Sequence, residues 1–269
     1  MSIQIARARD FAALHRAGNP IVLANVWDAG SARILQASGA RAIATTSAGV
    51  AWSLGYPDGN RVPRGEVLEA LARIAKAVEI PLTADIENGY GATPDAVSET
   101  IRGCVEVGVV GVNIEDSLRP VDEQLLRLET ARSAAEATGV SVFINSRIDT
   151  HVLGNIGGSE WLDETVRRAV AYSEVGANGV FVLGALRAES IQALTSAISL
   201  PVNVAFGPGT LSLDELAAAG ASRISAGSSI AEAAYSVVQD WALALRNETN
   251  ANPFTTPSLS WAALNRLAN

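Results

Sequence analysis

The sequence predicts a (β/α)8 barrel with a C-terminal helical tail, on three observations. Eight strand-like apolar runs recur along the chain, helical patterns lie between them, and glycines or prolines stand just ahead of the strands. Parallel strands covered on both faces read as nearly continuous apolar segments, and eight strand-then-helix units fit a closed barrel. A doubly wound open sheet is the competing architecture, but no glycine fingerprint follows the first run.

In order, the runs are "IVLANVW" (21–27), "AIATTS" (42–47), "PLTADI" (81–86), "GVNIED" (111–116), "VFINSRID" (142–149), "GVFVLG" (179–184), "PVNVAF" (201–206) and "RISAGS" (223–228). Between them Val67, Leu71, Ile74, Ala75 and Val78 share one face at helical spacing. Gly39, Gly108, Gly139, Gly176 and Gly220 each precede a strand, where a left-handed residue stops a helix cheaply; Pro81 and Pro201 do this elsewhere. Thr93-Pro94 reads as a cap followed by a first-turn proline, and Ser212 to Glu215 as a capping box. Residues 1–246 are the expected barrel domain. The polar stretch "NETNANPFTTP" (247–257) then links to a short helix whose Trp261, Leu264 and Leu267 form an apolar stripe. That stripe has little of its own to bury against, so it is expected to dock on the barrel or on a neighbouring subunit.

With 269 residues the chain can bury a substantial core. No run reaches the roughly 18 apolar residues of a membrane span, and the N-terminus lacks the continuous apolar segment of a secretory signal. A cytoplasmic protein without a membrane partner is expected. One cysteine, Cys104, excludes an internal disulfide framework or a cysteine-based zinc site, and its place within a helix reads as a small buried hydrophobe. The net charge of −8, with no basic stripe, argues against nucleic acid. An anionic substrate would then need a metal ion or a few placed arginines.

In such a barrel the active site forms at the C-terminal ends of the strands. Those ends carry Thr46, Ser47, Ala48 and Gly49; Asp85 and Glu87; Glu115 and Asp116; Arg147 and Asp149; Asn203; and Ser225 and Ser228. Alternation along a strand points Asp85 and Glu87 the same way, as a shared ion requires. Acids in that place could hold a metal, cap the next helix or face water. Converging carboxylates raise one another's pKa unless a cation neutralises them, and an all-oxygen set without histidine suits magnesium, with manganese as the substitute. Asp116 taken alone reads better as a cap of the following helix. Arg147 is either a substrate ligand or a structural partner of Asp149 or Glu115.

"LTADIENGYG" followed by "GVNIEDS", with "ATTSAG" before and "NSRIDT" after, resembles the isocitrate lyase and phosphoenolpyruvate mutase superfamily over about residues 25–228. The resemblance implies a magnesium-dependent barrel that makes or breaks C–C or P–C bonds on 2-oxo or 2-hydroxy carboxylates through a pyruvate-type enolate. It implies Asp85 as the nearest metal ligand, with Asp58, Glu87 and Glu115 holding waters on the metal. The Ser47 hydroxyl and the amides of Ala48 and Gly49 would bind substrate oxygens, and Arg147 would pair with the carboxylate. Thr46 and Asn203 join them as expected substrate contacts.

The departures bear on the reaction. Lyases of the group carry a K-K/R-C-G-H segment after the strand-4 acid, where this chain reads "SLRPVDEQLL". The lysine- and asparagine-bearing loop of the mutases is missing as well, and Leu183-Gly184 stands where mutases place a histidine. Arg119 in the short loop and His151 in "DTHVLGNIGGSE" are the nearby groups left to assist, the latter on a glycine-bearing segment that could swing over the site. The expectation is a magnesium-dependent lyase acting on a small 2-oxo or 2-hydroxy di- or tricarboxylate. The alternatives are an enzyme of P–C bonds in a phosphonopyruvate-like substrate and a catalytically silent carboxylate-binding barrel. A homo-oligomer, a tetramer sharing the tail helix, is expected.

Overall fold

The computed structural model describes residues 2–154, 160–246 and 259–268. Nine short strands form one all-parallel sheet: β1 (Ile21–Leu23), β2 (Asn25–Val26), β3 (Ile43–Thr45), β4 (Leu82–Asp85), β5 (Gly111–Glu115), β6 (Phe143–Ile148), β7 (Gly179–Val182), β8 (Val202–Ala205) and β9 (Arg223–Ser225). Each pairs with the next in sequence from β2 to β9. The exception is informative. β1 pairs with β9, with Ile21 opposite Arg223, whereas β2 pairs with β3. They are two halves of one strand interrupted at Ala24, so the sheet closes on itself into the eight staves of a (β/α)8 barrel.

The helices are α1 (Ser2–Ala13), α2 (Ala29–Ala37), α3 (Ser47–Ser53), α4 (Arg64–Ala77), α5 (Pro94–Glu106), α6 (Val121–Ala137), α7 (Thr150–Leu153), α8 (Glu160–Glu174), α9 (Ala188–Ala197), α10 (Leu213–Ala218), α11 (Ser229–Arg246) and α12 (Trp261–Ala268). Their ends follow the sequence signals. All five glycines expected to end helices have positive φ, between 75° and 102°. Thr93 accepts from the Ala96 amide, and Ser212 and Glu215 make both bonds of the capping box. Val67, Leu71, Ile74, Val78 and Cys104 are buried.

Helix α1 was not foreseen, because charge interrupts its apolar positions. Its Phe11 is fully buried at the N-terminal end of the barrel, edge-on to Phe143, with ring centroids 5.7 Å apart. Gly111 opens the space for it, since a Cβ there would stand 2.8 Å from Phe11 Cε1. Gln4 fastens the helix by donating to the carbonyls of Val105 and Val109.

Higher in the barrel the interior is polar. Asn145 donates to the side-chain oxygens of Asn113 (2.9 Å) and Asn203 (3.1 Å), and Asn203 donates to Ser225 Oγ (3.1 Å). Below this layer Arg223 is 1% exposed, and none of its three guanidinium nitrogens has a hydrogen-bond partner among the described residues.

The tail helix α12 lies on α2 of its own chain, where Arg33 donates to the Leu267 carbonyl. Leu267 is half-buried and Leu264 exposed. The side chain of Trp261 and the linker 247–257 fall outside the described residues. No helix among those described is long and apolar enough to cross a membrane.

Candidate active site

At the end of β4, Asp85 is the hub. Its Oδ2 accepts from Ser47 Oγ (2.9 Å) and the Ser47 amide (3.4 Å), its own amide donates to Thr45 Oγ1 (2.9 Å), and its Oδ1 accepts from the Glu87 amide (3.3 Å). Ser47, Ala48 and Gly49 are the first turn of α3 and not an open loop. Small residues are needed there because a Cβ on Gly49 would lie 2.7 Å from Thr46 Cγ2 and 2.9 Å from Trp27 Cβ. The first amides of a helix have no acceptor within it, so this turn presents donors beside Asp85.

Glu87 follows in a left-handed conformation, with φ +49°. It is 2% exposed; one carboxylate oxygen accepts from the Asn60 amide while Oε1 has no partner among the described residues. Burial pushes its carboxyl up to about 7, against the opposing Asn60 bond and with help from the charges of Asp85 and Asp58. The phenol of Tyr90, packed against it, is raised by burial and by the charges of Glu87 and Asp85.

Glu115, at the end of β5, is opposite Arg147 in the β5–β6 register. Arg147 Nη1 bonds Glu115 Oε2 (2.8 Å) and its Nε bonds Asp149 Oδ1 (2.7 Å). Burial disfavours the guanidinium's charge, but Asp149, Glu115 and Asp85 outweigh it and hold its pKa above the ordinary value. Burial likewise raises Glu115, against the pull of Arg147. The structural partners considered for Arg147 are thus both present, and the guanidinium still faces the cavity.

Asp116 is fully buried and turned away from the site. It accepts from the amides of Leu118 and Asp149, from Arg168 (3.0 Å) and from the Tyr172 hydroxyl (2.9 Å). Its role is structural, as expected, but it ties two strand ends to α8 and does not cap α6, whose cap position is Pro120.

A cavity of about 360 Å3 opens over the strand ends. Of the candidate residues, Thr46, Ser47, Ala48, Asp58, Asp85, Arg147 and Ser228 line it. Glu87 and Glu115 stand outside this lining, each electrostatically coupled to Asp85. Among the described residues no three of His, Cys, Asp and Glu lie close enough together to form a metal cluster. Asn203 is spent in the polar layer of the barrel interior and does not reach the cavity. Arg119 donates to the Glu115 carbonyl and to Gln124 Oε1 and also stays out of the lining. His151 rests on Trp161 and behind Gly184, a lining residue on which a Cβ would come 2.4 Å from His151 Cδ2. The glycines 157 and 158 of its segment lie outside the described residues.

Two parts of the site were missed. Asp149 was named at its strand end and as a possible partner of Arg147 but given no role of its own, although it anchors Arg147 and the Ser117 amide (3.0 Å). The wall made by Phe181, Leu183, Ala205, Phe206 and Pro208 carried no signal beyond its place after strands six and seven of the sequence pattern.

A (β/α)8 barrel with acids and one arginine gathered at the C-terminal ends of its strands is the build of the isocitrate lyase and phosphoenolpyruvate mutase superfamily of lyases and mutases. The chain belongs to the phosphoenolpyruvate phosphomutase family, whose sequence profile matches residues 11–246. It is 38% identical over 220 residues, 80% of each chain, to an uncharacterised protein of Mycobacterium tuberculosis. It is 29% identical to the oxaloacetate decarboxylase of Rhodopseudomonas palustris over 64% of this chain and 60% of that one. A Burkholderia cenocepacia structure provisionally assigned as a lyase/mutase superposes with a TM-score of 0.90 at 37% identity, covering 99% of this chain and 96% of the other.

Proposed function

We propose that the protein is a magnesium-dependent lyase, with manganese as a substitute, that breaks a C–C bond in a small 2-oxo or 2-hydroxy carboxylate. The observation that carries this reading is Asp85 at the cavity with Glu87 and Asp58 in its field, none of the three in a salt bridge among the described residues. Glu87 keeps a buried oxygen without a partner, and its carboxyl is pushed up to about 7 with Asp85 and Asp58 among the causes. Hard oxygen donors with a surplus of negative charge suit a hard divalent cation. Asp85 would hold the ion directly, and Asp58, Glu87 and Glu115 through water. When bound, the ion supplies Lewis acidity toward an oxygen next to the substrate carboxylate.

The chain's own residues do the rest. Ser47 Oγ and the amides of Ala48 and Gly49 donate to the substrate's carboxylate and developing enolate oxygens, with Thr46 beside them. Arg147, held by Glu115 and Asp149, offers its remaining nitrogen, Nη2, to the carboxylate. The bond to C3 breaks, its electron pair becomes the pyruvate-type enolate, and a proton restores the 2-oxo acid. From an oxaloacetate-like diacid the departing fragment is carbon dioxide, which needs no strong proton donor at the cleavage step. His151, one residue behind the cavity wall, is the side chain best placed to exchange the later proton with solvent. Arg119 acts from outside by fixing the loop that carries Glu115.

The test is a screen of oxaloacetate, isocitrate, methylisocitrate, other malate-type acids and phosphonopyruvate, each with and without magnesium, with products identified by mass. Magnesium-dependent C–C cleavage is expected. A P–C product would instead make it a phosphonate enzyme, and thermal stabilisation without turnover a carboxylate-binding barrel.

We also infer a homo-oligomer. Helix α11 buries only Ala231 among its residues and exposes Val237, Val238, Leu243 and Leu245, more apolar surface than a lone helix face ordinarily leaves in water. Light scattering of the full chain at micromolar concentration should report a multiple of 27.9 kDa; a monomer would overturn this.

A further inference from the structure

The chain carries a net charge of −8, yet a second cavity at the rim of the barrel is cationic. Its volume is about 460 Å3, and it lies between the loop leading into α4, the loop after β4, and α6. Arg61, Arg64 and Arg127 line it and no acid does, while Val62, Pro63 and Ala92 supply apolar edges. It shares no lining residue with the cavity over Asp85.

The partners of the three arginines decide what the cavity can do. Arg127 is 8% exposed, and backbone carbonyls hold its guanidinium: Nη1 donates to those of Asn88 (3.0 Å) and Gly91 (3.1 Å), and Nη2 to that of Ala92 (2.8 Å). These bonds fix its plane but give its charge no carboxylate partner. Burial and the neighbouring Arg119 push its pKa down, while Glu123 pulls the other way. Arg64 pairs with Glu99. Arg61 is exposed and forms no ion pair among the described residues. Of three positive charges one is thus neutralised by a carboxylate and two are not. The cap position of α4, Pro63, makes no side-chain cap bond, so the opening amides of that helix add to the positive field.

Each guanidinium presents its donors as a fork, and forks arriving from three chain segments suit a group with oxygens on several sides better than a flat carboxylate. We propose that this cavity binds a phosphate group, free or on a small metabolite, and that its occupancy is linked to the Asp85 site. The link is the loop between α3 and α4. Asp58 lines the Asp85 cavity, the Asn60 amide donates to Glu87, and Asn60, Arg61 and Arg64 line the cationic cavity. A phosphate dianion on one side of that loop and a divalent cation on the other attract each other, so each favours the binding of its counterpart. The volume lies within the range of small-molecule sites and leaves room for a short carbon skeleton beside the phosphate.

The experiment is calorimetric titration of the full-length, metal-free protein with inorganic phosphate, glycerol 3-phosphate and citrate, the last as a polycarboxylate control. Glycerol 3-phosphate should bind once per chain, and at least about 10-fold more weakly to Arg61→Gln, whose exposed position leaves the fold intact by circular dichroism. Inorganic phosphate binding as tightly as the ester identifies the free ion as the ligand, and weaker binding identifies the metabolite; both support the site. No binding, tighter binding of citrate, or an affinity unchanged in Arg61→Gln overturns it, the last because the anion then sits elsewhere, as at Arg147. Magnesium titrations with and without saturating glycerol 3-phosphate read the linkage. The Kd for magnesium should fall about 5-fold in the unaltered chain and stay level in Arg61→Gln, and a Kd that does not respond to the ester overturns the linkage. The linkage rests on the metal reading above, whereas the metal-free titrations do not, so failure of the one is distinguishable from failure of the other.

Discussion

The two ends of the barrel each bury a charge without its full complement of partners, and they treat it differently. At the open end Glu87 shares a field with Asp85 and Asp58 beside a cavity that solvent or a ligand can enter. At the other end Arg223 is sealed beneath α1. Burial lowers its pKa to about 9 against the attraction of Asp85, and its guanidinium carbon lies 6.0 Å from the Phe11 ring. His15, stacked on Phe143, is pushed down to about 4 by burial and by Arg223, and its Nδ1 lies 3.0 Å from the Phe11 carbonyl oxygen. A charge at the open end can be relieved by whatever binds. One at the sealed end is a standing cost to the fold, in keeping with the division between a functional and a stabilising face in such barrels.

The sharpest way to break this contrast is Asp85→Ala. It should abolish thermal stabilisation by magnesium and lower turnover by about 10³-fold, the size associated with losing a main electrostatic contact, while circular dichroism stays that of a folded barrel. Unchanged magnesium binding would remove the acid cluster as a metal site.

Next in size is the pH response of Glu87. Its carboxyl titrates near 7 in the fold against 4.5 as the reference value, so the fold favours the protonated form. The stability contributed by that preference is complete below pH 4.5 and is lost as pH rises through 7, by on the order of 3 kcal/mol. Glu87→Gln should flatten that slope in urea titrations of the metal-free protein and suppress the proton release that accompanies magnesium binding. An unaltered slope would place the excess charge elsewhere.

The smallest effect is expected at the sealed end. Arg223→Met should stabilise the protein by about 1 kcal/mol, because removing a buried, poorly paired charge in favour of an apolar side chain of similar length often does. That corresponds to roughly 2–4 °C in Tm for a chain of this size. A clear loss of stability would mean that the guanidinium is well satisfied inside the barrel and that the two ends do not differ in kind.

All eight staves were legible in the sequence because burial on both faces leaves their apolar runs almost unbroken, and the helix ends because glycine and proline act locally. Asp85, Ser47 and Arg147 were legible as cavity residues from their positions at strand ends, and Asp58 only through the family resemblance. Other features depend on partners remote in sequence. The knot around Asp116 needs Arg168 and Tyr172, more than fifty residues on. Asn203 was misplaced toward the cavity because a polar residue near a strand end looks the same whether it points to the mouth or joins an interior amide layer. Helix α1 hid because it buries little more than Ala8 and Phe11, too narrow a stripe to show periodicity.

The break at Ala24 sets the order in which the molecule can be completed. Residues 21–23 are made early but cannot find their hydrogen-bonding neighbour until residues 223–225 have been synthesised, about two hundred positions later. Until then the growing chain carries two open sheet edges, one at each end of the nascent array, and unpaired parallel edges are prone to wrong partners. Closure is therefore a late, long-range event, whose entropic cost slows folding relative to contacts made nearby in the chain. The seam between the first and last staves is thus the most distant strand pairing in the sheet, whatever the cavity above it goes on to do.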